Sequence, residues 1–151
     1  MNFKTYIIFL LLFISCSENI NNNNQSYDIN FGSESSLDIV TWNLEFFPKH
    51  EETIEYLLDF IPNINSDVYA LQEITDQESF NLLVNQLGSE WIGFRSDNSN
   101  YQELSYIINT DYIDIITNPY TILEDQEHFF AYRAPYVLEC YFNDIKYIII
   151  N

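Results

Sequence analysis

The chain has 151 residues, with 23 Asp and Glu against 5 Lys and Arg, for a formal net charge of −18. Hydrophobic residues make up 47% and aromatics 17%, which excludes a disordered tail, and three Gly and four Pro exclude collagen-like and linker-rich classes. So acidic a chain cannot grip a phosphate backbone broadly, since that takes clustered Lys and Arg to displace counterions; a locally positive site built on a bound cation stays open.

The amino-terminal residues read as an address. Lys4 precedes the unbroken apolar run 6–14. Its nine residues rise only about 14 Å as a helix, too short for a bilayer core, so residues 1–16 are expected to be a signal peptide. The run ends in Phe13-Ile14-Ser15-Cys16. That resembles a bacterial lipobox, with Cys16 the residue that takes lipid; the plainer alternative is a secretory signal with an incidental cysteine. Lipidation of Cys16 implies anchoring to a membrane of the bacterial cell envelope, on its periplasmic or outer surface. Cys140 then has no partner for a disulfide, and in an apolar run it reads as a small buried hydrophobe. Residues 17–36, with four consecutive Asn and no apolar periodicity, read as a polar tether.

The folded part is expected to span 37–151. Residues 37–42, β-branched and aromatic with alternation at the start, predict a strand. Ile54, Tyr56, Leu57, Leu58 and Ile61 are near helical spacing and predict a helix over 51–61, with acids in its opening turns and Pro62 as its stop. Residues 67–73 are apolar nearly throughout, as a strand covered on both faces should be. Phe80, Leu83, Val84 and Leu87 predict a helix over Gln77–Leu87, closed by Gly88. Strands are then expected at 91–94, 104–108, 113–123, Tyr136–Phe142 and 146–150, with short polar turns between. A β-α-β-α opening followed by hairpins predicts a mixed α/β sandwich with helices on its outer faces. The core-type strand running to Asn151 reads as a domain truncated at its C-terminus.

Thr41-Trp42-Asn43-Leu44-Glu45 closes the first strand and Ala70-Leu71-Gln72-Glu73-Ile74 the second. If the two strands are parallel neighbours, Asn43 and Glu73 emerge at the carboxyl edge of the sheet, where ligands bind in open α/β sheets. A carboxylate there suits a hard divalent cation, and an amide can orient a ligand without adding charge. On composition alone, a turn cap at Asn43 and a surface acid at Glu73 explain the same residues.

Residues 37–48, LDIVTWNLEFFP, followed by 67–74, DVYALQEI, resemble the opening of the endonuclease/exonuclease/phosphatase superfamily. Residues 129–135, FFAYRAP, are similar to its Arg-x-Pro segment, and 147–151, YIIIN, to the strand leading into its Asn-x-His motif. The resemblance implies the α/β, DNase-I-like mixed β-sandwich flanked by helices, with only the N-terminal half present. It implies Glu73 as a Mg²⁺ (or Mn²⁺) ligand, with Asn43 beside metal and phosphate and in the metal set. It implies Arg133 as the guanidinium on the substrate phosphate, and Asn151 as the opening of Asn-x-His. The later Asp-x-Asn and Asp-His pairs of the family are absent here, so the expectation is a Mg²⁺-dependent phosphoesterase, inactive as this fragment and monomeric when complete. Nucleic acid, a phospholipid headgroup and a small phosphate ester all remain open as substrate. The alternative is a non-catalytic surface lipoprotein or binding module derived from the fold. His50 and His128 fall in polar or acidic loops and read as solvated. A site residue is also expected within the 101–106 segment, its register left open.

Overall fold

The computed structural model describes residues 29–97 and 101–151. The signal peptide, Cys16 and most of the expected tether lie outside the described residues. β1 (Ile39–Phe47), α1 (Thr53–Ile64), β2 (Val68–Ile74), α2 (Gln77–Leu87), β3 (Trp91–Arg95) and β4 (Glu103–Asn109) form the first half of the described chain. The second half holds β5 (Asp114–Ile115), β6 (Tyr120–Thr121), a 3-10 helix (Glu124–Phe130), β7 (Tyr136–Phe142) and β8 (Ile145–Ile150).

The first sheet has the order β1-β2-β4-β3, with β1 and β2 parallel and the other neighbours antiparallel. In the second sheet β7 is central, pairing β8 along one edge and β5 and then β6 along the other. Two cores follow from the period-2 alternation of the strands. Leu71 and Ile107 pack on Leu57 and Ile61 of α1 and on Phe80 and Leu83 of α2. Ala70, Tyr106 and Ile108 face Leu138, Cys140 and Phe142 of the second sheet. The result is three layers, helices on sheet on sheet. The α-helices cover one outer face; among the described residues none covers the outer face of the second sheet, where helices were also expected.

Several local expectations are corrected. α1 does not stop at Pro62 but carries it inside its last turn. So close to the end, the missing N–H removes a single ladder bond, and the helix ends instead at Asn65, left-handed with φ 58°. The run 113–123 is not one strand: Pro119 has no N–H to give a ladder, and β5 and β6 are two-residue pieces on either side of the break. Part of the segment read as a tether lies against α1. Phe31 and Gly32 donate their N–H groups to Ile64 O at 3.1 and 3.3 Å, meeting a carbonyl that α1 leaves unpaired. Gly32 has to be glycine, since a Cβ there would lie 1.5 Å from Asn65 O.

The α2 reading needs no change. Asp76 caps it by accepting from Ser79 N at 2.6 Å, which holds the Asp76 carboxyl below its ordinary range. Gly93 lets this helix lie close on β3: a Cβ would meet Val84 Cγ2 at 2.5 Å. Across the seam between the sheets, the Tyr106 hydroxyl reaches Tyr136 O at 2.8 Å and Ile149 O at 3.1 Å. Burial pushes that phenol far above its ordinary pKa, so it stays a neutral donor.

Candidate active site

Because β1 and β2 are parallel, their carboxyl ends share an edge, and Asn43 stands opposite Gln72 in the register. Beyond that pair both ladders slip: β1 against β2 between Asn43 and Phe47, and β2 against β4 between Leu71 and Ile74. Glu45, Phe46 and Glu73 take left-handed backbone there, with φ of 44°, 59° and 62°. Bulges of this kind break the pleat and re-aim side chains. Here the Glu73 carboxylate turns onto Asn43.

Glu73 gathers three partners from three separate segments. Asn43 Nδ2 donates to Oε1 at 3.0 Å, Gln102 Nε2 donates to Oε2 at 3.3 Å, and Arg133 Nη1 stands 3.7 Å from Oε1. The Glu73 and Arg133 side chains are only 17% and 24% exposed, which screens the pair less than an open surface would. Arg133 arrives from the second sheet's side, after the 3-10 helix and two left-handed residues, Ala131 and Tyr132. Its own N–H donates to Phe130 O at 3.1 Å, which fixes the approach.

Asn151 completes the arrangement from β8. Its backbone exchanges both bonds with Tyr136, while Nδ2 reaches Leu71 O at 2.9 Å and Ser105 O at 3.1 Å. Its Oδ1 accepts from Gln72 Nε2 at 2.6 Å. Asn151 is therefore a strut between the sheets, one residue behind Glu73, and does not touch the carboxylate itself.

The structure thus brings Asn43, Glu73 and Arg133 into one cluster and sets Asn151 against its base. The turn-cap reading of Asn43 holds as well: its Oδ1 accepts from Glu45 N at 2.8 Å, an Asx turn. Gln72 and Gln102 were not singled out by sequence, since amides are common and only the fold shows that Gln102 meets the Glu73 carboxylate and Gln72 the Asn151 side chain. In the 101–106 segment it is Gln102 that reaches the site, while Tyr106 is buried in the seam. His50 pairs with Glu52 at 3.7 Å and His128 lies on the Phe129 ring, and neither bonds to the cluster.

Among the described residues no group of three or more His, Cys, Asp or Glu stands ready to cage a metal ion. A single carboxylate with amides around it fits a cation that keeps most of its waters, as Mg²⁺ and Mn²⁺ do, and does not fit a closed structural zinc site.

No family model matches the chain, and no curated protein matches it. Solved structures do. TDP2 from D. rerio, complexed with single-strand DNA product, aligns with a TM-score of 0.63 at 15% identity, over 76% of this chain and 44% of that one. Truncated TDP2 from Caenorhabditis elegans aligns with a TM-score of 0.59 at 17% identity, over 76% and 45%. At such identities the likeness is one of fold, and it agrees with the DNase-I-like α/β sandwich. The chain spans less than half the length of these TDP2 chains.

Proposed function

We propose that this chain carries the first half of the active site of an exported, divalent-metal-dependent phosphoesterase, held to the cell envelope by lipid on Cys16. The convergence of Asn43, Gln102 and Arg133 on Glu73, at the carboxyl edge of β1 and β2, carries this reading. The fold shared with TDP2, solved in one case with single-strand DNA product, supports it.

In this reading Glu73 holds the cation. Asn43 and Gln102 donate to its two oxygens and fix the direction of their remaining lone pairs. With Oδ1 already engaged by Glu45 N, Asn43 acts chiefly through Glu73, beside the metal. Arg133 offers a planar fork to two phosphate oxygens, and binding phosphate draws it off Glu73. Gln72 and Asn151 hold the β2 bulge that aims the carboxylate. A bound Mg²⁺ or Mn²⁺ supplies Lewis-acid stabilisation of charge on the phosphoryl oxygens. None of Asn43, Glu73, Gln102 and Arg133 is assigned the role of activating water.

Kinetics on a generic phosphodiester and a phosphomonoester test the assignment, using a chain extended to the full fold across a Mg²⁺ series. Glu73→Gln keeps the shape and loses the charge, so raising Mg²⁺ should restore part of the rate. Arg133→Lys loses the fork, and added Mg²⁺ should not restore it. Wild-type rates for Glu73→Gln at limiting Mg²⁺ sink the assignment. Equal partitioning of Cys16→Ser and wild type into detergent phase sinks the anchor.

A second reading, a non-catalytic binding module, draws on one observation: among the described residues no imidazole bonds to the Glu73 cluster. Phosphate binding without turnover in the extended chain decides for it.

A further inference from the structure

Of the four Lys and Arg among the described residues, three are committed elsewhere. Lys49 pairs with Glu45, Lys146 pairs with Glu139, and Arg95 donates from all three guanidinium nitrogens to the carbonyls of Ile74, Ser96 and Thr75. Arg133 is held differently. Its Nη1 stands 3.7 Å from Glu73 Oε1, too far for a hydrogen bond, and among the described residues its guanidinium donates no other. The two amides grip the same carboxylate by true hydrogen bonds, Asn43 Nδ2 at 3.0 Å and Gln102 Nε2 at 3.3 Å. They bring no charge, and they leave lone pairs free on a group that has about four. The amides therefore aim Glu73, while Arg133 neutralises it. With the two side chains 17% and 24% exposed, the charges are sheltered from water, yet the guanidinium keeps its donors unspent.

We infer that Arg133 is a displaceable counter-ion, occupying Glu73 in place of the cation, so that phosphate and metal bind this site with positive cooperativity. The inference rests on the phosphoester reading and adds to it the coupling between its two ligands. A divalent cation and a guanidinium are both drawn to Glu73 by the same negative charge, and side by side they repel. A cation arriving alone has to displace Arg133. A phosphate arriving first offers two oxygens to the planar fork, a better acceptor than a carboxylate oxygen at 3.7 Å, and leaves Glu73 to the metal. Until then Glu73 is not left as an unpaired, sheltered charge. Because binding free energies are reciprocal, the metal tightens phosphate by the same factor.

The test is Mn²⁺ binding to the 151-residue chain, read from the loss of the free ion's paramagnetic resonance signal, with and without methyl phosphate. Glu73→Gln supplies the background from the chain's other acids, and thermal melts confirm that each variant folds. Arg133→Met, which keeps length and loses charge, should tighten Mn²⁺ in the absence of phosphate by at least about fivefold. Arg133→Gln serves where Arg133→Met does not fold. On wild type, methyl phosphate should tighten Mn²⁺ by about 5- to 150-fold. Lys49→Met removes a charge already paired with Glu45 and should leave Mn²⁺ near its wild-type affinity. If Mn²⁺ binds through Glu73 but Arg133→Met binds it no tighter, the counter-ion is wrong and the metal site stands. Equal tightening by Lys49→Met makes the effect one of net charge and overturns the inference, as does a wild-type affinity that ignores methyl phosphate. If neither wild type nor Arg133→Met binds Mn²⁺ beyond the Glu73→Gln background, with or without methyl phosphate, the phosphoester reading falls with it.

Discussion

The two sheets share an interface yet live in different solvents. The first has α1 and α2 on one face and the second sheet on the other, and Tyr69, Leu71, Ile107 and Ile108 are all 0% exposed. The second buries Leu138 and Cys140 toward the seam but turns Ile148 and Ile150 outward, each 61% exposed. Both sheets draw on similar apolar runs, Tyr106-Ile-Ile108 and Tyr147-Ile-Ile-Ile150. Apolarity alone therefore does not bury a residue; the layer that lies over it does. Glu139 softens the second sheet's outer face, since it is held by Lys146 at 2.5 Å and by the Tyr120 hydroxyl at 2.7 Å. The candidate site stands where the two regimes meet, with Asn43, Glu73 and Gln102 on the first sheet's side and Arg133 and Asn151 on the second's.

The sharpest test of that contrast pairs two isoleucines. Ile107→Ala opens a cavity between sheet and helices and should cost about 2–5 kcal/mol in denaturant unfolding, whereas Ile148→Ala should stay within about 0.5 kcal/mol. Equal losses would mean that something covers the outer face in solution. The seam itself is probed by Tyr106→Phe, which strips a shared donor from Tyr136 O and Ile149 O and should cost about 1–2 kcal/mol. A neutral result would show the sheets held by packing alone.

At the site edge, Phe46→Gly relieves the left-handed strain and should leave stability unchanged or raise it by up to about 1 kcal/mol. A clear loss of stability would make the ring a structural element. The smallest effect concerns Asp67, at the start of β2. Burial raises its carboxyl above the ordinary 3.8, and the nearby Asp38 charge adds to that, against the opposing bond from Asp38 N. A raised acid lets the folded state hold its proton longer, so this residue's contribution weakens as pH climbs from 3.8 through the folded value. Asp67→Asn should melt progressively higher relative to wild type across that window and match it most closely at the acid end. Parallel melting curves at all pH values would remove burial as the cause.

Much of the first sheet was legible in the sequence. The stripe of Phe80, Leu83 and Val84 between Asp76 and Gly88 contains both the face and the ends of α2, because cap chemistry and helical period are local. The parallel pairing that sets Asn43 near Glu73 follows from a strand-helix-strand run of ordinary length. Less of the second half was legible. The break at Pro119 follows from its missing N–H, but the 3-10 helix and the two-residue lengths of β5 and β6 depend on what β7 offers along its edge, and that partner is distant in sequence.

At the site, residue types alone marked Asn43, Glu73 and Arg133 as worth weighing, and the family resemblance supplied their roles. They did not mark Gln72 or Gln102, nor separate Phe46 from Phe47. Those choices fall to the two register slips, which arise only once three strands are paired. One left-handed residue in a bulge reverses which side of the sheet a side chain faces. Sequence thus fixes the alternation along each strand, a property of neighbouring backbone; which side chains meet at Glu73 is decided by the register between strands, a property of contacts between residues about 30 to 80 positions apart.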